Sequence, residues 1–190
     1  MNRRMIIAII LVVAILPAFA QQVSNFSLTN VINGKQVSLD TYPSCAGLLV
    51  IFTSNVCAYD EYYRSRINEL GNDFQDKVPL LLVNPGVEPA ESPDNMVKKA
   101  KESGITHPYL SDKDQTLMAN LGATKSPQAF LLKNNGGKFS VVYRGAIDDN
   151  AQVEADVRHS YLKDAIDIML TNQKVETPEV RPVGCTLRKK

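Results

Sequence analysis

Three cysteines, Cys45, Cys57 and Cys185, are the residues of this chain whose type could support redox or nucleophilic chemistry. Cys57 follows the apolar run 47–52 and a short polar turn, and helical periodicity begins at Tyr59. The unpaired N–H groups and the dipole at a helix N-terminus favour a thiolate, which is the nucleophilic form of cysteine. We therefore predict a nucleophile at Cys57. The alternative is a small buried residue without chemistry, because free cysteine is among the most buried residue types.

The second sulfur in any disulfide of Cys57 could come from Cys45 or Cys185. Cys45 and Cys57 bracket a predicted strand, and twelve extended residues span some 30 Å or more, whereas disulfide Cα atoms lie within about 7 Å. Cys45 is therefore predicted to be inert. Cys185 follows Leu170 on a segment that could stretch to about 50 Å, enough to return along the last helix. We hypothesise a Cys57–Cys185 disulfide, either redox-active or only pinning the tail.

The remaining ionisable residues give little support for other kinds of site. His107 and His159 lack the spacing of helix metal ligands, so neither a metal nor a cofactor is predicted. The net charge is +1, from 21 Lys and Arg against 20 Asp and Glu, and basic runs are lacking. This balance argues against nucleic-acid binding.

The first twenty residues have the composition of a secretory signal peptide. Arg3 and Arg4 precede an apolar run over 5–16, and the segment ends in Ala18-Phe19-Ala20. The run is too short to cross a bilayer comfortably, which takes about 20 residues. We expect cleavage after Ala20 and an exported protein, periplasmic or secreted, that no longer binds the membrane.

The pattern of apolar residues beyond the signal peptide predicts one α/β domain over 21–171 and a wrapping tail over 172–190. In chain order it predicts a hairpin at Asn33-Gly34, a strand over 47–52, a helix over 59–74 with Arg66 on its polar side, a strand over 78–83, a helix opening at Ser92-Pro93, a short extended segment over 105–110, a short helix over 115–121, a hairpin turning at 134–137 and a long helix over 152–170. Strands joined through helices are parallel, and the final hairpin adds an antiparallel pair, so the sheet is predicted to be mixed.

This order and three stretches resemble the thioredoxin-like redoxin family, the alkyl hydroperoxide reductase and thiol-specific antioxidant group. The stretches are FTSNVCAYDEYY at 52–63, ATKSPQAFLL at 123–132, and YRGAIDD at 143–149 with RPVGC at 181–185. The last pair is similar to a peroxiredoxin-like bacterial subgroup. The resemblance implies a three-layer thioredoxin-like fold, with a central mixed sheet, helices on both faces, an N-terminal hairpin extension and the C-terminal tail.

The resemblance also assigns roles to residues around Cys57. It implies a cis bond before Pro127, lying against the Cys57 turn, with Ser126 offering backbone groups to an extended substrate. Ser54 falls on the Thr/Ser position of the peroxiredoxin motif P-x-x-x-T/S-x-x-C. Its hydroxyl could hydrogen-bond the sulfur or a peroxide, or it could only shape the turn.

The chain departs from the family motifs at three points. Asp60 stands where thioredoxins have the second cysteine of C-x-x-C, and Val50 replaces the proline of the peroxiredoxin motif. Asn55-Val56-Cys57-Ala58 replaces the N-H-C-P of the similar subgroup. Any intramolecular partner of Cys57 must therefore lie outside its own motif.

We expect an exported thiol oxidoreductase in which Cys57 attacks a hydroperoxide or a disulfide, Cys185 completes the disulfide, and an external thiol is the reductant. Peroxide reduction and disulfide exchange both remain open, and neither requires a cofactor. The alternative from another class is a non-catalytic binding module in which Cys57 is structural and an extended peptide lies beside Pro127.

Overall fold

The computed structural model describes residues 21–190, and the predicted signal peptide at 1–20 lies outside the described residues. The strands are β1 (Leu28–Asn30), β2 (Gln36–Val37), β3 (Gly47–Phe52), β4 (Leu80–Asn84), β5 (Tyr109–Ser111), β6 (Lys125–Ser126), β7 (Gln128–Asn135), β8 (Lys138–Gly145), β9 (Glu179–Val180) and β10 (Cys185–Thr186). The helices are α1 (Ala58–Phe74), α2 (Pro93–Glu102), α3 (Thr116–Leu121) and α4 (Tyr161–Leu170).

Eight of these strands form one mixed sheet, in the order β2-β1-β5-β4-β3-β7-β8-β9, and β6 pairs separately with β10. Strands β3, β4 and β5 are parallel because α1 and α2 connect them, and the β7–β8 hairpin is antiparallel to β3. The predicted N-terminal hairpin is β1–β2. The α/β prediction with a central mixed sheet is confirmed.

Strand β3 lies near the middle of the sheet and is buried on both faces. Leu49 and Ile51 pack in one core with α1, α2 and α4, whereas Val50 and Phe52 pack in a second core with α3 and the N-terminal segment. Side chains alternate between the faces of a strand, which explains why a continuous apolar run is needed here. This packing fixes the end of β3, and therefore the turn that carries Cys57.

The predicted helix over 152–170 is wrong in its first half, because α4 begins only at Tyr161. The Asn150 side chain accepts hydrogen bonds from the backbone N–H groups of Gln152 and Val153, at 3.1 and 2.9 Å. These two bonds have the geometry of a helix N-cap, but only a short turn over Glu154–Asp156 follows. The Arg158 N–H donates to the Asp149 side chain at 2.9 Å, so it cannot pair with residue 154 as an α-helix would require. Val153, an apolar residue within the predicted helix, is exposed.

The placement of Arg66 on the polar side of α1 is also wrong, because its side chain is buried. Its guanidinium pairs with Asp148 and donates to the carbonyl oxygens of Asn150 and Ala151, at 2.8 and 3.0 Å. These bonds tie α1 to the loop after β8. The loop supplies the anionic and carbonyl partners that make burial of an arginine possible.

The predicted tail at 172–190 wraps back across the molecule and contributes two short strands. β9 extends the main sheet beside β8, and β10 pairs with β6 next to the start of α1. Within residues 21–190, no helix has the length and apolar character needed to cross a membrane.

Candidate active site

Cys57 is the N-cap residue of α1, with φ −86° and ψ 121°. Its side chain makes no capping hydrogen bond, so the sulfur does not satisfy the first N–H groups of this 17-residue helix. The positive end of the helix dipole and these N–H groups lie at Cys57. This end of α1 would therefore stabilise negative charge on the sulfur when it is free.

The sulfur of Cys57 is bonded to that of Cys185. Their Cα atoms are 5.9 Å apart, and the bond joins positions separated by 128 residues. The hypothesised pairing is therefore present. Cys45 is free and half-buried, its Sγ lies 3.3 Å from the Tyr42 carbonyl oxygen, and burial raises the pKa of its thiol. A higher pKa leaves less thiolate, which suits the inert role predicted for Cys45.

The segment before Pro127 holds Cys185 in position. The Ser126–Pro127 bond is cis, as the resemblance implied. β6 and β10 pair antiparallel with Cys185 opposite Ser126, and the Leu187 N–H donates to the Thr124 carbonyl at 2.9 Å. Ser126 thus offers its backbone to an extended segment, and in this structure that segment is the tail of the same chain.

Ser126 also connects the sulfur to a buried carboxyl group. Asp60 is fully buried and accepts hydrogen bonds from the hydroxyls of Thr53 and Ser126, each at 2.5 Å. Burial raises the pKa of Asp60 to about 6, and the two hydroxyls act against that rise. The Ser126 carbonyl oxygen lies 3.1 Å from Cys57 Sγ. A thiol at Cys57 could donate to this oxygen, whereas a thiolate would face its partial negative charge.

A second buried carboxylate, Glu91, shapes the turn before Cys57. Its Oε1 accepts from the Ser54 hydroxyl at 2.5 Å, and its Oε2 accepts from the Asn55 N–H at 2.9 Å and the Asn84 amide at 2.7 Å. Glu91 is not among the site residues predicted from the sequence, and it lies 36 residues from Asn55. No local pattern links two segments so far apart. Glu91 lies in the segment after β4, and the parallel pairing of β3 with β4 brings that segment beside the turn.

Lys113 and Tyr109 complete this polar network. The Lys113 ammonium donates to the carbonyl oxygens of Gly86 and Glu91, and burial lowers its pKa. The Tyr109 hydroxyl donates to the Asn55 side chain at 2.8 Å. The turn before Cys57 is therefore held by hydrogen bonds from several elements, which restricts where the sulfur can lie.

A cavity of about 310 Å³ opens beside the disulfide. Its walls are the Ser54–Cys57 turn, the 85–91 segment and the tail from Cys185 to Arg188. Cys57 is 2% exposed, whereas Cys185 is half-buried. Solvent species can therefore approach the disulfide from the cavity and meet Cys185 more readily than Cys57.

A protein-family model described as the AhpC/TSA family matches residues 19–145. The chain belongs to the AhpC/TSA family. The match includes the Cys57 turn and the Ser126–Pro127 bond but ends before Cys185. No curated protein matches the sequence.

Solved structures similar to this AhpC/TSA protein include two of unassigned function. An uncharacterized conserved protein from Geobacillus kaustophilus is 27% identical, with a TM-score of 0.80 over 93% of this chain and 94% of that one. A hypothetical protein from Sinorhizobium meliloti 1021 is 26% identical, with a TM-score of 0.78 over 88% and 92%.

A putative thiol:disulfide interchange protein DsbE from Chlorobium tepidum is 15% identical, with a TM-score of 0.63 over 80% of this chain and 96% of that one. At this identity the likeness concerns the fold, which is thioredoxin-like. Membership of the AhpC/TSA family, together with this fold, makes the chain a thioredoxin-like thiol oxidoreductase that acts by peroxide reduction or disulfide exchange.

The structure brings together all five residues predicted at the site, Cys57, Cys185, Ser54, Ser126 and Pro127. Ser54 lines the cavity, but its hydroxyl donates to Glu91 and accepts from the Val56 N–H at 3.2 Å. These bonds are the turn chemistry that was the alternative for Ser54. Its contact with a peroxide stays a prediction.

Proposed function

We propose that this AhpC/TSA protein is an exported thiol–disulfide oxidoreductase in which Cys57 is the nucleophile and Cys185 the resolving cysteine. The observation that carries the proposal is the extended segment beside Ser126 that is disulfide-bonded to Cys57. The tail occupies the place where a peptide substrate would form a mixed disulfide. Disulfide exchange therefore needs no rearrangement of the site other than departure of the tail.

The oxidation of the protein would proceed in two exchanges. The Cys57 thiolate attacks one sulfur of a substrate disulfide, so that a mixed disulfide forms and the other substrate sulfur leaves as a thiolate. The Cys185 thiolate then attacks Cys57 Sγ and releases the second substrate thiolate. The substrate gains two electrons, and the protein acquires the disulfide described above.

The return to the dithiol form is expected to begin at Cys185. Cys185 is half-buried, while Cys57 is almost completely covered, so an external thiolate meets Cys185 first. Its attack would release Cys57 as the leaving thiolate, at the positive end of α1. A leaving group that is stabilised as an anion departs faster. A second external thiolate then frees Cys185.

Peroxide reduction is the second candidate, favoured by family membership and by Ser54 on the cavity wall. The Cys57 thiolate would attack one peroxide oxygen and the O–O bond would break, giving a sulfenic acid. The other oxygen would take a proton from solvent and leave as an alcohol, or as water when the oxidant is hydrogen peroxide. Condensation with the Cys185 thiol would expel water and form the same disulfide. The Ser54 bond to Glu91 and the valine at position 50 argue for the exchange reaction instead.

The two candidates are separated by mixing the reduced protein with either oxidised glutathione or hydrogen peroxide in a stopped-flow instrument. The proposal predicts that the second-order rate constant for oxidised glutathione is the larger. The Cys57→Ser variant should lose that reaction, whereas Cys45→Ser should keep it. A faster peroxide reaction would establish the second candidate, and equal rates for parent and Cys57→Ser would refute both.

Export rests on the composition of residues 1–20 and on the disulfide, a bond typical of oxidising compartments. The full-length chain, expressed in a bacterium, should be recovered from the cell envelope or medium with Gln21 as its first residue. Intact mass would report this directly. A cytoplasmic protein that retains residues 1–20 would refute the export proposal.

A further inference from the structure

The backbone pairing that holds the resolving cysteine at the site is short, and one side-chain bond from Lys125 to Thr186 and the packing of Leu187 against the core add to it. β10 contains two residues, and the Leu187 N–H bond to Thr124 adds one contact beyond them. Isolated two-stranded ladders are marginally stable at best. Contacts of the residues that follow β10 would therefore help to keep the tail in place when the disulfide is open.

Gln115 makes the additional contacts with the end of the chain. Its Nε2 donates to the Arg188 carbonyl at 2.9 Å, and its Oε1 accepts from the Lys190 N–H at 2.7 Å. The same Nε2 donates to the Pro85 carbonyl at 3.0 Å. A carboxamide has the donor and acceptor of a peptide group, so Gln115 pairs with alternate tail residues as a neighbouring strand would.

The backbone of Gln115 indicates that its side chain is required at this position. Gln115 has φ +57° and ψ +25°, in the left-handed region that favours glycine, and Asn172 is the other non-glycine residue with positive φ in the described chain. Glutamine is not among the residue types enriched in that region. The Gln115 side chain is nevertheless buried between Pro85 and the tail. Its tail contacts give a reason for glutamine at this position.

We propose that Gln115 is a positioning residue that holds Cys185 over Cys57, and this inference rests on the proposed function. Gln115 raises the effective concentration of the Cys185 thiol at Cys57 by binding the tail at Arg188 and Lys190. Formation of the disulfide and binding of the tail by Gln115 are coupled, so each strengthens the other by the same factor.

The test is the equilibrium between the protein and glutathione. Two thiols of the protein and one oxidised glutathione give the Cys57–Cys185 disulfide and two reduced glutathione molecules. In defined glutathione buffers, alkylation and mass spectrometry yield the equilibrium constant. Gln115→Ala removes two hydrogen bonds to the tail, so the constant should fall about tenfold. Asn172→Gly, at the other left-handed position, should leave it unchanged.

A matched pair of variants at Lys190 isolates the contribution of the hydrogen bond from the Lys190 N–H to Gln115. Lys190→Pro removes the backbone N–H donor, and Lys190→Ala removes the same side chain but keeps that donor. Lys190→Pro should lower the constant about threefold relative to Lys190→Ala. In the Gln115→Ala background, the two Lys190 variants should not differ.

The inference is overturned if Gln115→Ala leaves the equilibrium constant unchanged, or if the Lys190 difference persists without Gln115. A general structural role would instead lower the free energy of unfolding equally with the disulfide open or closed. The equilibrium constant measures only the pairing of Cys57 with Cys185, so it tests the role of Gln115 even if Cys57 reacts slowly with substrates. A slow reaction of Cys57 would count against the proposed function and not against the role of Gln115.

Discussion

Asp60 occupies the position at which thioredoxins carry their second redox cysteine. It lies at the first turn of α1, where a negative charge is favoured by the helix dipole, but its carboxyl group is fully buried. Burial dominates and raises its pKa to about 6 from an ordinary value of 3.8. At this position the chain therefore has a buried carboxyl group, which is costly to ionise, where thioredoxins have a thiol.

The sign of this shift predicts how stability depends on pH. The folded protein binds the Asp60 proton more tightly than the unfolded chain, so the contribution of Asp60 is fully present below about pH 4 and is lost as the pH rises through about 6. Keeping this carboxylate ionised at neutral pH costs up to about 3 kcal/mol.

We therefore expect Asp60→Asn to increase the free energy of unfolding at pH 7.5, by up to about 3 kcal/mol, and to have little effect at pH 4. Urea unfolding of the oxidised protein at several pH values measures this. Taking the difference between variant and parent removes the contribution of Asp112, whose pKa burial also raises. Parallel pH profiles for parent and variant would contradict the assignment.

At the scale of elements, the pairing of β10 with β6 decides whether the two sulfurs meet. A Cβ added at Gly184 would lie 2.2 Å from the Ser126 carbonyl oxygen, which is closer than real Cβ atoms approach. Glycine at 184 is therefore needed for the close approach of the tail to Ser126, rather than for any turn.

Gly184→Ala should push β10 away from β6 and lower the glutathione equilibrium constant of the disulfide about tenfold, since inserting a methyl group into close contact costs on the order of 1–3 kcal/mol. Val183→Ala is the control, because its side chain is exposed and lies next to Gly184 in the chain. An unchanged constant in Gly184→Ala would mean that the backbone pairing does not position Cys185.

The elements also differ in how far the sequence could predict them. β3 and the start of α1 follow from a continuous apolar run and from helical spacing, which are local signals, and so does the helix opening at Ser92-Pro93. The start of α4 could not be predicted in this way, because the Asp149 side chain accepts the Arg158 N–H, a donor that a helix over 152–170 would pair internally.

The residues of the candidate site also differ in whether a local sequence signal marks them. Cys57 and the cis Ser126–Pro127 bond have signatures within a few residues, and Cys185 could be reached from the length of the tail. Glu91 and Gln115 act through side chains on segments distant in sequence, and neither residue type marks a site by itself. Such contacts are set by the packing of whole elements.

At the scale of the whole molecule, the disulfide joins the centre of the fold to its C-terminal end, across 128 residues. Closing a loop of this length removes conformations from the unfolded chain, an effect of about 4–5 kcal/mol in the chain-entropy model. The oxidised and reduced forms of this protein should therefore differ in stability as well as in reactivity.

The Cys185→Ser variant should lose about 3–5 kcal/mol of unfolding free energy relative to the oxidised parent. Cys45→Ser is the matched control, since Cys45 is free, and it should unfold close to the parent. Guanidinium denaturation without reductant makes the comparison. If Cys185→Ser were as stable as Cys45→Ser, the disulfide would contribute nothing to the fold as a whole.

The central claim is that Cys57 attacks substrates and Cys185 resolves the product. It is tested most directly by mixing reduced Cys185→Ser with a limiting amount of oxidised glutathione and mapping the adduct by mass spectrometry. The account predicts a stable glutathione adduct on Cys57, and the parent protein should release that adduct to form the Cys57–Cys185 disulfide. An adduct on Cys45, or no adduct on Cys57, would contradict it.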